Sequence, residues 1–253
     1  MAFSDMYELL FSKKFAHLLL HKEFGMGEVF EIPYYPYGSV PGMIPLMSWM
    51  GIGPVYYALW IPWYSDRTPY FVVSHLCESY KVKRIANTEE EFIKYLLFEM
   101  LDLGINFDIL ENLANNFGIF NIKDLISYYS KYGHPNEVKG PNFENTKEIL
   151  LGSNKNSDLH DLAGLEVEEN KIEQLFNLNK PAWLTNENKL ELYNHYIKQG
   201  NIKYAWLTLN SEGWLFSDAR IAVAQMLNII QDDVFNLQLS SWLEDNKEMI
   251  GGY

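Results

Sequence analysis

The sequence contains a single cysteine, Cys77, among 253 residues. One thiol cannot form a disulfide within the chain, which favours a reducing compartment such as the cytoplasm. Basic residues are also scarce, because 20 Lys and Arg stand against 33 Asp and Glu, for a formal net charge of −13. Phosphate groups are repelled by such a chain, so direct binding of nucleic acid is disfavoured and a basic protein partner fits better.

Catalytic motifs are lacking as well. The sequence has no phosphate-binding lysine loop, no nucleophile elbow and no paired-cysteine zinc motif. Gly51 and Gly53 do not complete a dinucleotide-binding loop, because that motif needs a third glycine at the start of a following helix. The carboxylates Glu89–Glu91 follow Thr88 in a pattern typical of a capped helix start. We therefore predict no catalytic residue, no cofactor and no metal ligand.

Two pairs of side chains are candidates for a chemical site. His17 and His21 share one face of a predicted helix, a spacing that can bind a metal. The metalloprotease motif needs Glu directly after the first histidine, where Leu18 stands, and no third ligand is placed by the sequence. His75 and Cys77 alternate along a predicted strand, so their side chains start about 6.5–7 Å apart, too far for a direct nucleophile–base hydrogen bond.

No charged residue occurs from Ile32 to Ser65. A helix that spans a bilayer needs about 20 consecutive apolar residues. Six of the ten prolines fall within this run, however, and no proline-free stretch exceeds eight residues. Because each proline inside a helix costs about 3 kcal/mol, we predict no membrane association and short strands at Met43–Met50, Val55–Ile61 and Tyr70–Cys77.

Alternation along the middle strand gives it two apolar faces. One face is predicted to carry Val55, Tyr57, Leu59, Ile61 and Trp63. The other is predicted to carry Tyr56, Ala58, Trp60 and Tyr64. The strand should therefore be covered on both sides or lie under a partner.

Helical periodicity predicts one helix from Ser4 to about Glu23 and another that begins after Thr88. Further helices are predicted at Phe107–Asn116, Ile122–Lys131, Glu187–Gln199, Ile202–Leu209, Ser217–Ile230 and Gln231–Asn246.

The predicted domain organisation follows from a change of composition. Residues 133–160 are rich in Gly, Pro, Asn and Lys, which is typical of a linker or a long loop. We predict an α+β domain at 1–132, this linker at 133–160, and a small α-helical domain at 161–253.

Nine Tyr and Trp residues are crowded between positions 34 and 64. Most of them fit a core beneath helices, and the others fit an interface, where Tyr and Trp are enriched as anchors. The residues that we predict to bind a partner are Trp49, Tyr56, Trp60, Trp63 and Tyr64.

The order of several segments resembles the SUKH superfamily over about residues 10–103. These segments are the turn Phe24–Gly27, the proline- and glycine-rich Pro41–Gly53, the aromatic Val55–Trp60, a strand that ends at Cys77, and the helical Ile85–Leu96. The resemblance implies an α+β fold with a twisted antiparallel sheet backed by helices. For most bacterial members it also implies an immunity protein that binds and neutralises a polymorphic toxin, often a nuclease. Eukaryotic relatives are signalling scaffolds, and the family has no catalytic residues to carry over.

The resemblance and the acidic charge together predict a cytoplasmic, non-catalytic protein-binding module, most concretely an immunity protein for a basic toxin domain. One alternative is a regulatory scaffold whose C-terminal helices bind a partner peptide. A second alternative is a small-molecule enzyme that uses His75 or the pair His17 and His21.

Overall fold

A four-stranded antiparallel sheet lies at the centre of the fold, with its strands in the order β1-β2-β3-β4. The computed structural model describes residues 2–21, 29–31, 35, 37–51, 53–64, 68–75, 82–119, 122–133, 182–185 and 187–253. The strands are Met43–Trp49 (β1), Val55–Trp60 (β2), Tyr70–His75 (β3) and Val82–Ala86 (β4). The prediction of an α+β fold with an antiparallel sheet is confirmed, and β4 is a strand that the sequence analysis did not predict.

Helices precede and follow the sheet in the chain. The N-terminal helices are α1 (Ala2–Leu10) and α2 (Lys13–His21), and those directly after the sheet are α3 (Glu89–Asp102), α4 (Phe107–Asn116) and α5 (Ile122–Tyr132). The C-terminal helices are α6 (Ala182–Thr185), α7 (Lys189–Lys198), α8 (Ile202–Leu209), α9 (Phe216–Leu227) and α10 (Asp233–Asp245). The predicted helical C-terminal region is therefore confirmed.

The prediction of a single helix from Ser4 to Glu23 is wrong, because the chain breaks between α1 and α2. The Ser12 hydroxyl accepts a hydrogen bond from the Phe15 N–H at 3.2 Å, which caps the start of α2. The Ser12 N–H and hydroxyl both donate to the Glu89 carboxylate, at 2.7 and 2.5 Å. The break is therefore held by a residue 77 positions away in the sequence.

The start of α3 follows the predicted cap with one difference. The Thr88 hydroxyl accepts from the Glu91 N–H at 3.1 Å, as predicted. The Glu91 carboxylate, however, accepts from the N–H of Asn87 at 2.7 Å and not from that of the cap residue. The cap thus satisfies one of the orphan N–H groups of the first turn, that of Glu91, and the Glu91 carboxylate satisfies the N–H of the residue before the cap.

The first face of the sheet is covered by α1 to α5. Its apolar side chains include Tyr57 of β2 and Phe71 of β3, which belong to one buried cluster with residues of these helices. The rings of Phe71 and Phe92 stack with centroids 4.5 Å apart. Phe15 meets the edge of the Phe92 ring at 5.8 Å, so α2, α3 and β3 join in one aromatic core.

The second face is covered by the C-terminal helices. The buried cluster on this face combines strand residues with helix residues, and its aromatic members include Tyr56, Trp60, Tyr70, Trp206, Trp214, Phe216, Phe235 and Trp242. The sheet is thus covered on both sides by its own chain. The prediction that Trp63 shares a face with Tyr57 is wrong, because β2 ends at Trp60 and alternation stops there.

Buried amides attach the C-terminal helices to the loop before β1. Asn210 accepts from the Gly42 N–H at 2.5 Å, and Asn246 accepts from the Ser39 N–H at 3.2 Å. Gln238 donates to the Pro41 carbonyl at 2.9 Å. These bonds satisfy backbone groups that would otherwise be buried without a partner.

Two glycines make this attachment possible. A Cβ at Gly42 would stand 1.7 Å from the Trp60 ring, so only glycine lets the indole lie against the backbone here. Gly38 has φ +76, a conformation that L side chains rarely adopt, and its Cβ would meet Phe216 at 2.5 Å. The close approach of loop and helices therefore depends on both residues.

Part of the predicted domain organisation falls outside the described residues. This applies to the predicted linker after Gly133, to residues 161–181, to the turn Phe24–Gly27 and to Cys77. Residues 189–253 and the sheet share one buried cluster across the second face. In the part of the chain that the structure describes, no helix is both long and apolar enough to cross a membrane.

Candidate partner-binding surfaces

Two of the five predicted anchors are buried within the protein. Tyr56 and Trp60 are both 0% exposed. The ring of Tyr56 stacks on that of Tyr35 with centroids 3.9 Å apart, and Trp60 stacks on Trp206 of α8 at 6.1 Å. Neither side chain can touch a partner unless the C-terminal helices leave the sheet. Trp49 is half-buried against the core of the first face.

Trp63 and Tyr64 lie half-buried where the sheet meets the C-terminal helices. The Trp63 indole donates to the Gln238 side-chain oxygen at 3.0 Å, and its ring meets the edge of Phe235 at 5.0 Å. The Lys203 ammonium lies 3.4 Å from the carbonyl oxygen of Tyr64. Partner binding by Trp49, Trp63 and Tyr64 stays a prediction, and these three have surface that a partner can reach.

An aromatic cluster on α6, α7 and α8 was not predicted from the sequence. Trp183 stacks on Tyr204 with centroids 5.0 Å apart, and Tyr196 lies 5.4 Å from the same Tyr204 ring. Burial, and then the neighbouring Tyr204, raises the pKa of the Tyr196 hydroxyl. Tyr204 remains 37% exposed, so the cluster combines packed rings with accessible surface. The sequence could not predict this cluster, because its three aromatic residues lie on separate short helices and meet only when those helices pack together.

A second surface, here called the acidic ridge, lies where α1 packs against α10. It carries five exposed carboxylates, of which the last follows the end of α10: Asp5, Glu8, Glu244, Asp245 and Glu248. Lys247 lies among them, and its ammonium pairs with the Glu244 carboxylate at 2.5 Å. Met6 of α1 and Asp245 of α10 line the same small cavity, so the two helices are close at this point. Desolvation, and then the adjacent Glu244, raises the pKa of Asp245 to about 6. Partial burial where α1 meets α10 is therefore the main reason why this carboxyl ionises less readily, and the charge of Glu244 adds to it.

A cleft of about 280 Å³ lies between the start of α7 and the start of α9. Its lining combines the apolar Leu190, Trp214 and Leu215 with the carboxylates of Glu187 and Asp218. Lys189 also lines the cleft, and its ammonium donates to the Trp183 carbonyl at 2.5 Å and to the Ser211 hydroxyl at 3.0 Å. Leu215 is 57% exposed, so the cleft opens onto an apolar surface residue. Apolar walls beside carboxylates suit a side chain with an apolar stem and a cationic head.

The remaining candidates from the sequence are the histidine pair of α2 and the pair His75 and Cys77. His17 and His21 lie one turn apart on α2, with ring centroids 4.2 Å apart. His75 ends β3 opposite Val55, and Cys77 lies outside the described residues. Within the described ranges, no group of three or more His, Cys, Asp or Glu residues is arranged to hold a metal ion.

Comparison of this chain with protein-family models, with curated proteins and with solved structures finds no match.

Proposed function

We propose that the protein is a non-catalytic protein-binding module of the immunity type, which binds and neutralises a basic toxin domain. The observation that carries the proposal is the acidic ridge, in a chain of net charge −13. A toxin that cleaves nucleic acid needs a basic surface for phosphate groups. The carboxylates of the ridge would occupy that surface in place of the phosphates.

The ridge is suited to fast association more than to buried contact. Its carboxylates are exposed, and four of them belong to two helices that pack together, with Glu248 just after the second helix. Charges of this kind raise the rate of encounter with an oppositely charged partner, and salt screens them. Buried area would come from aromatic side chains, for which the half-exposed Trp63, Tyr64 and the cluster around Tyr204 are available.

The test compares two variants of equal charge. The first removes four carboxylates of the ridge and the second removes four from α3 to α5, so each changes the net charge from −13 to −9 (−13 + 4). The ridge variant is Asp5→Asn, Glu8→Gln, Glu244→Gln and Glu248→Gln. The control variant is Glu90→Gln, Asp108→Asn, Glu111→Gln and Asp124→Asn.

Each variant of the whole chain is co-expressed with the basic proteins encoded by neighbouring genes, one at a time, and growth and association rates are measured for any that is toxic alone. We expect the ridge variant to lose protection and its association rate constant to fall about tenfold, with a weaker salt dependence. The control variant should protect like the unaltered protein. Full protection by the ridge variant, or equal loss in both variants, would contradict the proposal.

A second candidate function is favoured by the cleft between α7 and α9. In this case the protein is a regulatory scaffold whose C-terminal helices bind a partner peptide. An arginine or lysine stem would lie against Leu190 and Leu215, with its charge beside Glu187 and Asp218. The cleft is separate from the acidic ridge, so the two candidates predict different sensitive residues.

Nuclear magnetic resonance distinguishes the two. A short peptide with a central arginine is titrated into the labelled protein, and the same peptide with norleucine serves as its control. The scaffold predicts shifts around Trp214 with the arginine peptide only, lost in Asp218→Asn and kept in Ser217→Ala. Equal shifts with the norleucine peptide would exclude recognition of the charge and leave only apolar contact.

A further inference from the structure

Two imidazoles meet on the exposed side of α2. His17 and His21 are both exposed, and their ring centroids lie 4.2 Å apart with an angle of 39° between the rings. Two imidazole nitrogens that ligate one ion at about 2.0–2.1 Å stand about 3 Å from each other. The separation of the two rings permits this after rotation about side-chain torsions alone, with no movement of the backbone.

The helix that carries the pair is held firmly from its other side. Phe15, Ala16, Leu18 and Leu19 of α2 are buried. Three of the four are at most 1% exposed, so the backbone between the two histidines cannot shift without disturbing the core. The backbone that carries the two ligands is therefore fixed in advance, and binding an ion would require reorientation of the two side chains only.

We propose that His17 and His21 form a two-ligand surface site for a divalent transition-metal ion of the imidazole-binding class. Neutral imidazole is the commonest protein ligand for such ions, and residues four apart on a helix can both reach one ion. Two protein ligands leave the other coordination positions to water or to a ligand from another molecule. The site is a chelate distinct from a structural or catalytic zinc centre, which uses three or four protein ligands. It does not depend on the proposed function.

The ligand type also sets the preference among ions. For a nitrogen site, affinity follows the general order that places Cu²⁺ above both Ni²⁺ and Zn²⁺. Hard ions such as Mg²⁺ prefer oxygen ligands and should not compete. This order is part of the proposal, because a site built from the carboxylates of the same protein would respond to Mg²⁺.

The experiment titrates the untagged full-length protein with Cu²⁺, Ni²⁺, Zn²⁺ and Mg²⁺ by calorimetry. We expect one Cu²⁺ per chain that is lost or weakened at least about tenfold in His17→Ala and in His21→Ala, because removing a ligand costs at least as much as removing its support. His195→Ala removes a single exposed histidine from α7 and is the matched control. It should leave the affinity unchanged.

A second measurement locates the ion independently of affinity. Paramagnetic Cu²⁺ broadens the amide resonances near it, and the broadening should centre on residues 17–21. Broadening centred elsewhere, or equal affinity in His17→Ala and the unaltered protein, would overturn the proposal. Because both side chains are exposed, the variants should keep the circular dichroism spectrum of the parent, which confirms that a lost site is not a lost fold.

Discussion

The helices on the first face of the sheet hold it mainly through apolar side chains, whereas those on the second face also hold it through several buried amides. On the first face, Phe71 of β3 stacks on Phe92 of α3 within a cluster of apolar and aromatic side chains. A buried hydrogen bond also joins the helices to the sheet here, from the Tyr7 hydroxyl of α1 to the Pro45 carbonyl of β1. On the second face, Asn210, Gln238 and Asn246 bond to the backbone of the loop before β1. The first layer contains short-range neighbours of the sheet, and the second comes from more than 100 residues further along the chain.

The two kinds of contact differ in how closely they fix the position of a helix layer on the sheet. Apolar burial is favourable and non-directional, so it stabilises a layer without setting its position closely. A buried amide must meet its partner with good geometry or it costs more than it contributes. We infer that the amides set the position of the C-terminal helices, which have no sequence-adjacent strand to direct them.

The largest effect on stability is expected from variants that test whether the two helix layers unfold together. Trp206→Ala on the second face and Phe92→Ala on the first should each lower the free energy of unfolding by about 3–5 kcal/mol, because each empties a fully buried ring site. Since the sheet belongs to both cores, each variant should show one transition in urea. Circular dichroism and tryptophan fluorescence would then report the same midpoint. Separate transitions in Trp206→Ala would mean that the C-terminal layer detaches alone.

The next test concerns the amides. In Asn210→Ala the buried N–H of Gly42 loses its acceptor, so stability should fall by about 1–3 kcal/mol. Asn228→Ala is the control, because Asn228 is exposed and bonds only to the Ala224 carbonyl of its own helix. Urea midpoints measure both. An equal loss of stability in the two variants would show that the buried amides do not set the position of the C-terminal helices.

A smaller effect should depend on pH. The folded-state pKa of Asp245 is raised from 3.8 to about 6, mainly by desolvation and then by Glu244. The folded protein therefore binds this proton more tightly than the unfolded chain, and the resulting stability is lost as pH rises through about 6. Asp245→Asn should stabilise the protein at pH 8 and have little effect near pH 4.

The expected gain at pH 8 is below about 1 kcal/mol, because the Asp245 side chain is more than a third exposed and solvent screens its charge. Thermal unfolding at the two pH values measures it. Glu248→Gln serves as the comparison, since it removes an exposed carboxylate of the same ridge. A gain for Asp245→Asn that does not change with pH would exclude titration of this carboxyl as its source.

The smallest effect is expected on the first face, at the break between α1 and α2. Glu89→Gln weakens the two hydrogen bonds from Ser12 to a charged acceptor, in an exposed position. We expect a loss of about 0.5 kcal/mol, which chemical denaturation can resolve against the control Glu90→Gln. A loss as large as that of Asn210→Ala would mean that polar contacts also set the position of the first layer.

Local signals in the sequence predicted the regular elements well. The predicted bounds of Phe107–Asn116 and Ile202–Leu209 match α4 and α8, whose starts are capped by Asn106 and Asn201. The single-helix prediction for the N-terminus failed because Glu89, a distant residue, holds the break at Ser12. Trp63 was assigned to the wrong face because alternation holds only while a strand continues.

The candidate surfaces could be predicted only in part. The charge of the chain indicated a basic partner, but the sequence does not show that α1 and α10 meet and bring carboxylates from both ends of the chain together. In the same way, the crowding of Tyr and Trp indicated anchors without distinguishing the buried Trp60 from the accessible Trp63. Exposure depends on which segment packs over a strand, and that segment lies far away in the chain.

The sequence by itself determined the class of fold, the position of most helices and strands, and the two apolar faces of β2, because propensity, capping and periodicity are local properties. Only the tertiary structure decided that residues 189–253 cover the second face and that acidic and aromatic surfaces form outside it. The reason is physical: both faces of β2 are equally apolar, so burial alone does not choose between a helix of the same chain and a partner. We infer that the buried amide bonds from Asn210, Gln238 and Asn246 make that choice, and their partners are about 170 to 210 residues away.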